Sequence, residues 1–155
     1  MKVAIDIGSS VSPLVNETFG ITSIQLNNKL VDLLKIELDT CEVVVLSPSS
    51  PQHLAELIAA VKPSKCISIS YATYNGCMGG TETVVTAGGS NLGKELHKAV
   101  VDVLDLRDRG TSKEENQYTI PYARMVLGYL DNDVDTLVIE SNLGNLARAI
   151  GQVLL

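Results

Sequence analysis

The hydrophobic pattern of this chain switches repeatedly between short, nearly continuous apolar runs and longer stretches with apolar residues every three or four positions. Residues 3–7 (Val-Ala-Ile-Asp-Ile), 42–46 (Glu-Val-Val-Val-Leu) and 65–70 (Lys-Cys-Ile-Ser-Ile-Ser) have the length and composition of buried strands. Residues 81–86 and 134–140 predict two more. Leu26, Leu30, Leu33 and Leu34 share one face of a helix predicted over about 23–38. Ser50-Pro51 predicts a second helix start, because Ser caps free N–H groups and Pro suits the first helical position; this helix should run to about residue 61. Gly88-Gly89-Ser90 opens a third helix, with Leu92, Leu96, Val100, Val103 and Leu104 on its inner face. Pro121 predicts a fourth, through about residue 130, and Leu143, Leu146, Ala147, Ile150 and Val153 define a fifth at the C-terminus. Residues 9–20, 71–80 and the charged run 107–116 read as loops. Strands that alternate with helices predict an α/β fold: one three-layer domain over residues 1–155, with a mainly parallel central sheet flanked by helices.

Composition narrows the functional classes. The chain has 155 residues, 45% of them hydrophobic and 19% charged, which suits one sizeable core. With no Trp and only Phe19 as phenylalanine, Leu, Val, Ile and Ala must fill that core. The net charge of −6 repels phosphate backbones and anionic lipid surfaces, so neither nucleic acid nor membrane is an expected partner. No apolar run approaches the ~20 residues of a membrane span. Asp6 interrupts the apolar N-terminus, which argues against a secretory signal and for cytoplasmic synthesis. Cys41, Cys66 and Cys77 lack metal-type spacing and read as free thiols. His53 and His97 fall within predicted helices and are expected at the surface or its boundary. Gly79-Gly80 and Gly88-Gly89 continue into no phosphate-binding pattern and read as turns.

Four segments carry a more specific signal: Lys2-Val-Ala-Ile-Asp-Ile-Gly-Ser-Ser10, Ser68-Ile-Ser70, Gly80-Thr-Glu82-Thr and Thr136-Leu-Val-Ile-Glu140. In order, they resemble the zinc-dependent N-acetylmuramoyl-L-alanine amidases, which cut the peptide stem from peptidoglycan. The resemblance covers nearly the whole chain and implies an amidase-like fold. In that family the first strand leads into a zinc-binding His, where this chain has Ser9. The first helix begins with a ligand Glu four residues before an Asn; here Asn27 matches and the ligand position is Ser23. The third strand ends in Ser-x-His, where this chain has Ser70. Gly80-Thr81-Glu82 and Arg109-Gly110 match as they stand. The catalytic Glu at the end of the family's last strand corresponds to Glu140.

The implied chemistry depends on metal. Zinc polarises the amide carbonyl and acidifies an attacking water, and it needs three protein ligands of the His, carboxylate or thiolate type. Ser9, Ser23 and Ser70 supply only neutral hydroxyls, so no zinc and no other cofactor is expected, and Glu140 is left as a vestigial catalytic position. Without the resemblance, capping and local hydrogen bonding account for all three serines, and capping accounts for Glu140. A serine hydrolase is not indicated, because there is no Gly-x-Ser-x-Gly elbow and no nearby His. The expectation is therefore an inactive amidase-fold protein used as a structural or interaction module in a phage virion or another bacterial assembly, with protein partners or copies of itself. The alternatives are a divergent peptidoglycan amidase with relocated ligands and a peptidoglycan-binding pseudoenzyme.

Overall fold

Apolar runs that are too short for helices become strands lying side by side. In the computed structural model, which describes residues 1–9, 11–115 and 118–155, these form a six-stranded sheet. Ser10 of the first motif and Asn116 of the predicted loop lie outside the described residues. The strands are β1 (Lys2–Asp6), β4 (Glu42–Leu46), β5 (Lys65–Ala72), β6 (Thr81–Val85), β7 (Asp108–Lys113) and β8 (Tyr122–Tyr129). A small hairpin pairs β2 (Val15–Asn16) with β3 (Ile21–Thr22). The helices are α1 (Ser23–Glu37), α2 (Pro51–Val61), α3 (Ser90–Leu104), α4 (Asp133–Ser141) and α5 (Leu143–Leu154). The sheet order is β4-β1-β5-β8-β6-β7. Its neighbours run parallel except β6 and β8, so the expected mainly parallel α/β architecture holds.

Alternation along each strand makes two cores of unequal size. Val3, Ile5, Ile67, Ile69, Met125 and Leu127 point to one face, where α1, α3 and α5 bury them. Ala4, Cys66 and Tyr122 point to the other, where Leu54, Leu57, Ile58 and Val61 of α2 pack together with Tyr118 and Ile120. With α2 as its helix against three on the first, this is the more open face. The helix starts follow local chemistry. Thr22 and Gln25 form a reciprocal capping box on α1, and the Ser50 side chain accepts the His53 N–H ahead of Pro51 on α2.

Three assignments in the C-terminal half are overturned. Residues 121–130, expected as a helix, contain β8, a central strand that buries Ala123, Met125 and Leu127 on one face while Arg124 and Val126 on the other are only half-buried. Its sequence is apolar at most positions all the same, so periodicity does not tell it from a helix, and Pro121 suits a strand entry as well as a helix start. Residues 134–140, expected as the last strand, form α4 instead. Their Val, Thr and Ile content favours a strand, but the Asn132 side chain accepts the Asp135 N–H, and Asp133 and Asp135 place negative charge in the first turn. The charged run expected as a surface loop contains β7, a polar edge strand. Exposed polar side chains are what protect an edge from unwanted pairing.

The sheet and α3 meet at one position where only glycine fits. A Cβ at Gly93 would lie 2.0 Å from Cγ1 of Val85, a buried β-branched side chain on β6 with little freedom to move. Gly93→Ala should therefore destabilise the protein by about 1–3 kcal/mol in urea unfolding. Combination with Val85→Ala should recover part of that loss, and strict additivity of the two changes would refute the contact.

Candidate functional site

The candidate site is organised by a buried amide. Asn27 lies one turn into α1 and is 2% exposed. Its Nδ2 donates to the carbonyls of Ile7 (3.1 Å) and Ile69 (3.3 Å), and its Oδ1 accepts the Tyr71 hydroxyl at 2.8 Å. Ile7 immediately precedes Gly8-Ser9, Ile69 immediately precedes Ser70, and Ser23 sits one helical turn before Asn27. The amide thus brings the segments bearing Ser9, Ser23 and Ser70 to one end of the sheet, where the parallel strands β1 and β5 finish. That end is where ligands bind in open α/β sheets.

Each of the three hydroxyls is engaged with backbone. Ser9 Oγ accepts the Val11 N–H at 3.2 Å, and Ser23 Oγ accepts the Leu14 N–H at 3.1 Å. Ser70 Oγ donates to the Met125 carbonyl at 3.0 Å. Among the described residues no three His, Cys, Asp or Glu side chains gather as a metal site. Neutral hydroxyls bound to the backbone are poor donors beside imidazole, carboxylate or thiolate, so the donor set does not fit zinc.

Glu140 is not part of this arrangement as a strand-end carboxylate, because it sits near the end of α4. The last strand is β8, whose sequence Tyr-Ala-Arg-Met-Val-Leu-Gly-Tyr contains no acid. Val126 is the β8 residue in register with Ser70, and Glu82 of β6 is in register with Val126 from the other side. The Glu82 carboxylate is occupied by the Ser112 hydroxyl at 2.8 Å.

A polar group unforeseen from the motifs lies deeper on the open face. Asp6 and Ser68 are in register on β1 and β5, and Ser68 Oγ donates to Asp6 Oδ2 at 2.6 Å. The Tyr122 hydroxyl is 2.8 Å from the same Ser68 oxygen, and the Gly8 N–H donates to Asp6 Oδ1. Burial raises the Asp6 pKa above its ordinary value, against the Ser68 and Gly8 hydrogen bonds and the Arg124 charge. Asp6, Ser9, Ser49, Tyr122 and Arg124 line a cleft of about 240 Å³. Arg124 pairs with Glu114 at 3.1 Å, while its buried Nε has no partner among the described residues. The sequence signal for this group was present: Asp6 and Ser68 are polar residues inside apolar runs.

His97, expected at the surface or its boundary, is buried. It is 8% exposed, with Nδ1 3.0 Å from Thr83 Oγ1 and Nε2 2.7 Å from Asp108 Oδ1. The bond to His97 is the main reason that the Asp108 carboxyl sits below its usual range, followed by the Gly110 N–H. Thr83 is fully buried, so this chain of bonds pins β7 to α3 and β6 rather than facing a substrate. His53 stands at the start of α2, with Nδ1 3.0 Å from the Ser49 nitrogen.

Two measurements check this description. Asn27→Ala strands two carbonyls and a buried phenol and should cost about 3 kcal/mol of stability, read by urea unfolding. For Asp6, a raised folded-state pKa means that the folded form holds a proton that the unfolded chain has already released. Stability is then lost as pH rises from the ordinary carboxylate value near ~4 through the raised one. Asp6→Asn lacks that loss, so its urea midpoint should gain on the wild type as pH rises. A constant difference would show that burial does not govern this carboxyl.

No family model matches the chain, and no characterised protein matches it by sequence. Solved structures do match. An N-acetylmuramoyl-L-alanine amidase of Clostridium difficile superposes with a TM-score of 0.86 at 22% identity, covering 99% of this chain and 94% of that one. The N-acetylmuramoyl-L-alanine amidase AmiC2 of Nostoc punctiforme gives 0.85 at 17% identity, covering 99% and 94%. The CwlD amidase of Clostridioides difficile, solved in complex with the GerS lipoprotein, gives 0.82 at 17% identity, covering 99% and 95%. Nearly end to end, this chain has the fold of the N-acetylmuramoyl-L-alanine amidases.

Proposed function

We propose that the protein is a zinc-free, catalytically inactive member of this fold that works as an interaction or structural module. The observation that carries the reading is the state of the three serines. They occupy the positions where the resemblance places zinc ligands, Asn27 bonds to the backbone of the segments that carry Ser9 and Ser70, and each hydroxyl is hydrogen-bonded to backbone. Val126 beside Ser70 adds to it, because a strand without a carboxylate offers no base for a metal-bound water. The Arg124–Glu114 and Asp6–Ser68–Tyr122 contacts provide no substitute metal set.

An amidase fold with a surface for a protein partner has a precedent in the CwlD–GerS complex. A protein partner or copies of the same chain, in a phage particle or another bacterial assembly, would use a fold kept for its shape. Fold alone does not fix activity. The competing reading, a divergent peptidoglycan amidase, draws on the amidase neighbours, but it requires a donor set that these residues do not offer.

Protein purified after growth in zinc-supplemented medium should contain far less than one zinc per chain by elemental analysis. It should also release no soluble fragments from dye-labelled peptidoglycan, with or without added zinc. Near-stoichiometric zinc, or release that a chelator abolishes, would refute the proposal.

A further inference from the structure

We propose that hairpin β2–β3 and α4 together form a docking surface for a basic, amphipathic polypeptide segment. The inference deepens the reading of the protein as an interaction module and rests on it.

The surface begins with a clasp. Asn16 of β2 is 1% exposed, and its Nδ2 donates to the Leu130 carbonyl at 3.0 Å and to Asp133 Oδ1 at 2.9 Å, with Thr136 Oγ1 at 3.4 Å. This amide fixes the hairpin against the first turn of α4. Large apolar side chains flank the clasp on both elements. Val15 and Phe19 are each 43% exposed, Val134 is 65% exposed and Leu137 is 44% exposed. Val134 and Leu137 are three residues apart and so share one side of α4. Asp135, Thr136 and Ile139 are the residues that α4 buries, which leaves the Val134–Leu137 side outward. Apolar side chains gathered in this way and rimmed by polar ones mark an interaction surface.

Charge selects the occupant. The stretches 3–28, 66–93 and 125–147 contain no Lys, Arg or His. They supply the loops that follow β1, β5 and β8, together with the hairpin and α4. Exposed Glu17 and Asp133 stand next to the apolar side chains. Arg107 and Arg109 reach the same end of the sheet from β7, and Arg109 is held by the Gly79 carbonyl at 2.6 Å and the Tyr129 ring at 5.3 Å. An anionic polymer is repelled here, as is a second copy with a net charge of −6. A segment with one apolar face and flanking Lys or Arg covers the apolar patch and pairs with Glu17 and Asp133.

The test uses the full chain and a fluorescein-labelled synthetic helix of about four turns, with Leu on one face and Lys on the other. Its counterpart carries Glu in place of Lys. Fluorescence anisotropy should show saturable binding of the Leu/Lys peptide, weakened by salt, and none of the Leu/Glu peptide. Val134→Ser combined with Leu137→Ser, and separately Phe19→Ser, should weaken binding about tenfold or more, and Glu17→Lys by several-fold. All four positions are exposed, and circular dichroism confirms that the variants fold. Ile36→Ser, at a 70% exposed position near the other end of α1, should leave binding unchanged. Equal binding of both peptides, or indifference to the α4 double variant, would overturn the proposal. So would co-sedimentation with purified peptidoglycan, or self-association in sedimentation velocity, that the α4 double variant abolishes. Failure of the underlying reading shows elsewhere, as fragment release from labelled peptidoglycan, and leaves the peptide titration to be judged independently.

Discussion

The Asn27 amide carries more structural responsibility than any other side chain at the functional end of this molecule. It satisfies the carbonyl of Ile7, just past the end of β1, and that of Ile69 on β5, just beyond the last β1–β5 pair at Asp6 and Ser68. It also accepts the hydroxyl of buried Tyr71. Backbone carbonyls that leave a sheet beneath a helix must find donors or lose about 1–3 kcal/mol each. One amide on α1 meets that need for two strands, and in doing so fixes where α1 begins relative to the loops that follow β1 and β5. The positions of Ser9, Ser23 and Ser70 follow from this constraint.

That geometry separates scaffold from chemistry. The scaffold has the fold of solved amidases, with TM-scores of 0.86 and 0.85 at identities of 22% and 17%. The residues at its functional end are serines bound to backbone, a valine on the central strand and a carboxylate on β6 already taken by Ser112. Hydroxyls of this kind stabilise loops and strand ends, and being neutral they are weak donors to zinc beside imidazole, carboxylate or thiolate. The same end carries acids and exposed apolar side chains, and the loops from β1, β5 and β8 contain no Lys, Arg or His.

The N-terminal half was largely legible. Strand 42–46 and helix 51–61 match the observed β4 and α2 at both ends, because strong local signals bound them: the acid before a Val run in one, and Ser50-Pro51 in the other. The motif positions Ser9, Ser23 and Ser70 were visible as residues, and Asn27 was visible as their marker. In the C-terminal half, strand 81–86 and helices α3 and α5 were legible too, but at residues 121–130 and 134–140 local preference pointed the wrong way. The Val-Asp-Thr-Leu-Val-Ile run reads as a strand, yet it forms α4 under an Asn132 cap, and this misreading carried Glu140 to the end of a strand that does not exist. The true last strand, β8, was hidden because its sequence is apolar at most positions, half-buried Val126 included, which removes the alternation that identifies a half-buried strand.

From its sequence alone, this chain determined its α/β class, the parallel core of the sheet, helices α1, α2, α3 and α5, and the hydroxyl chemistry at three motif positions. These depend on periodicity, caps and residue identity, all of which act over a few neighbouring residues. Only the tertiary structure decided which strand lies beside Ser70, that Asp6, Ser68 and Tyr122 share one buried group, that His97 is buried against Asp108, and that a hairpin and α4 close on Asn16. Each of these joins segments far apart in the chain. Their pairing is set by burial of both faces of the sheet and by the need to satisfy buried polar groups, and no local pattern records such conditions.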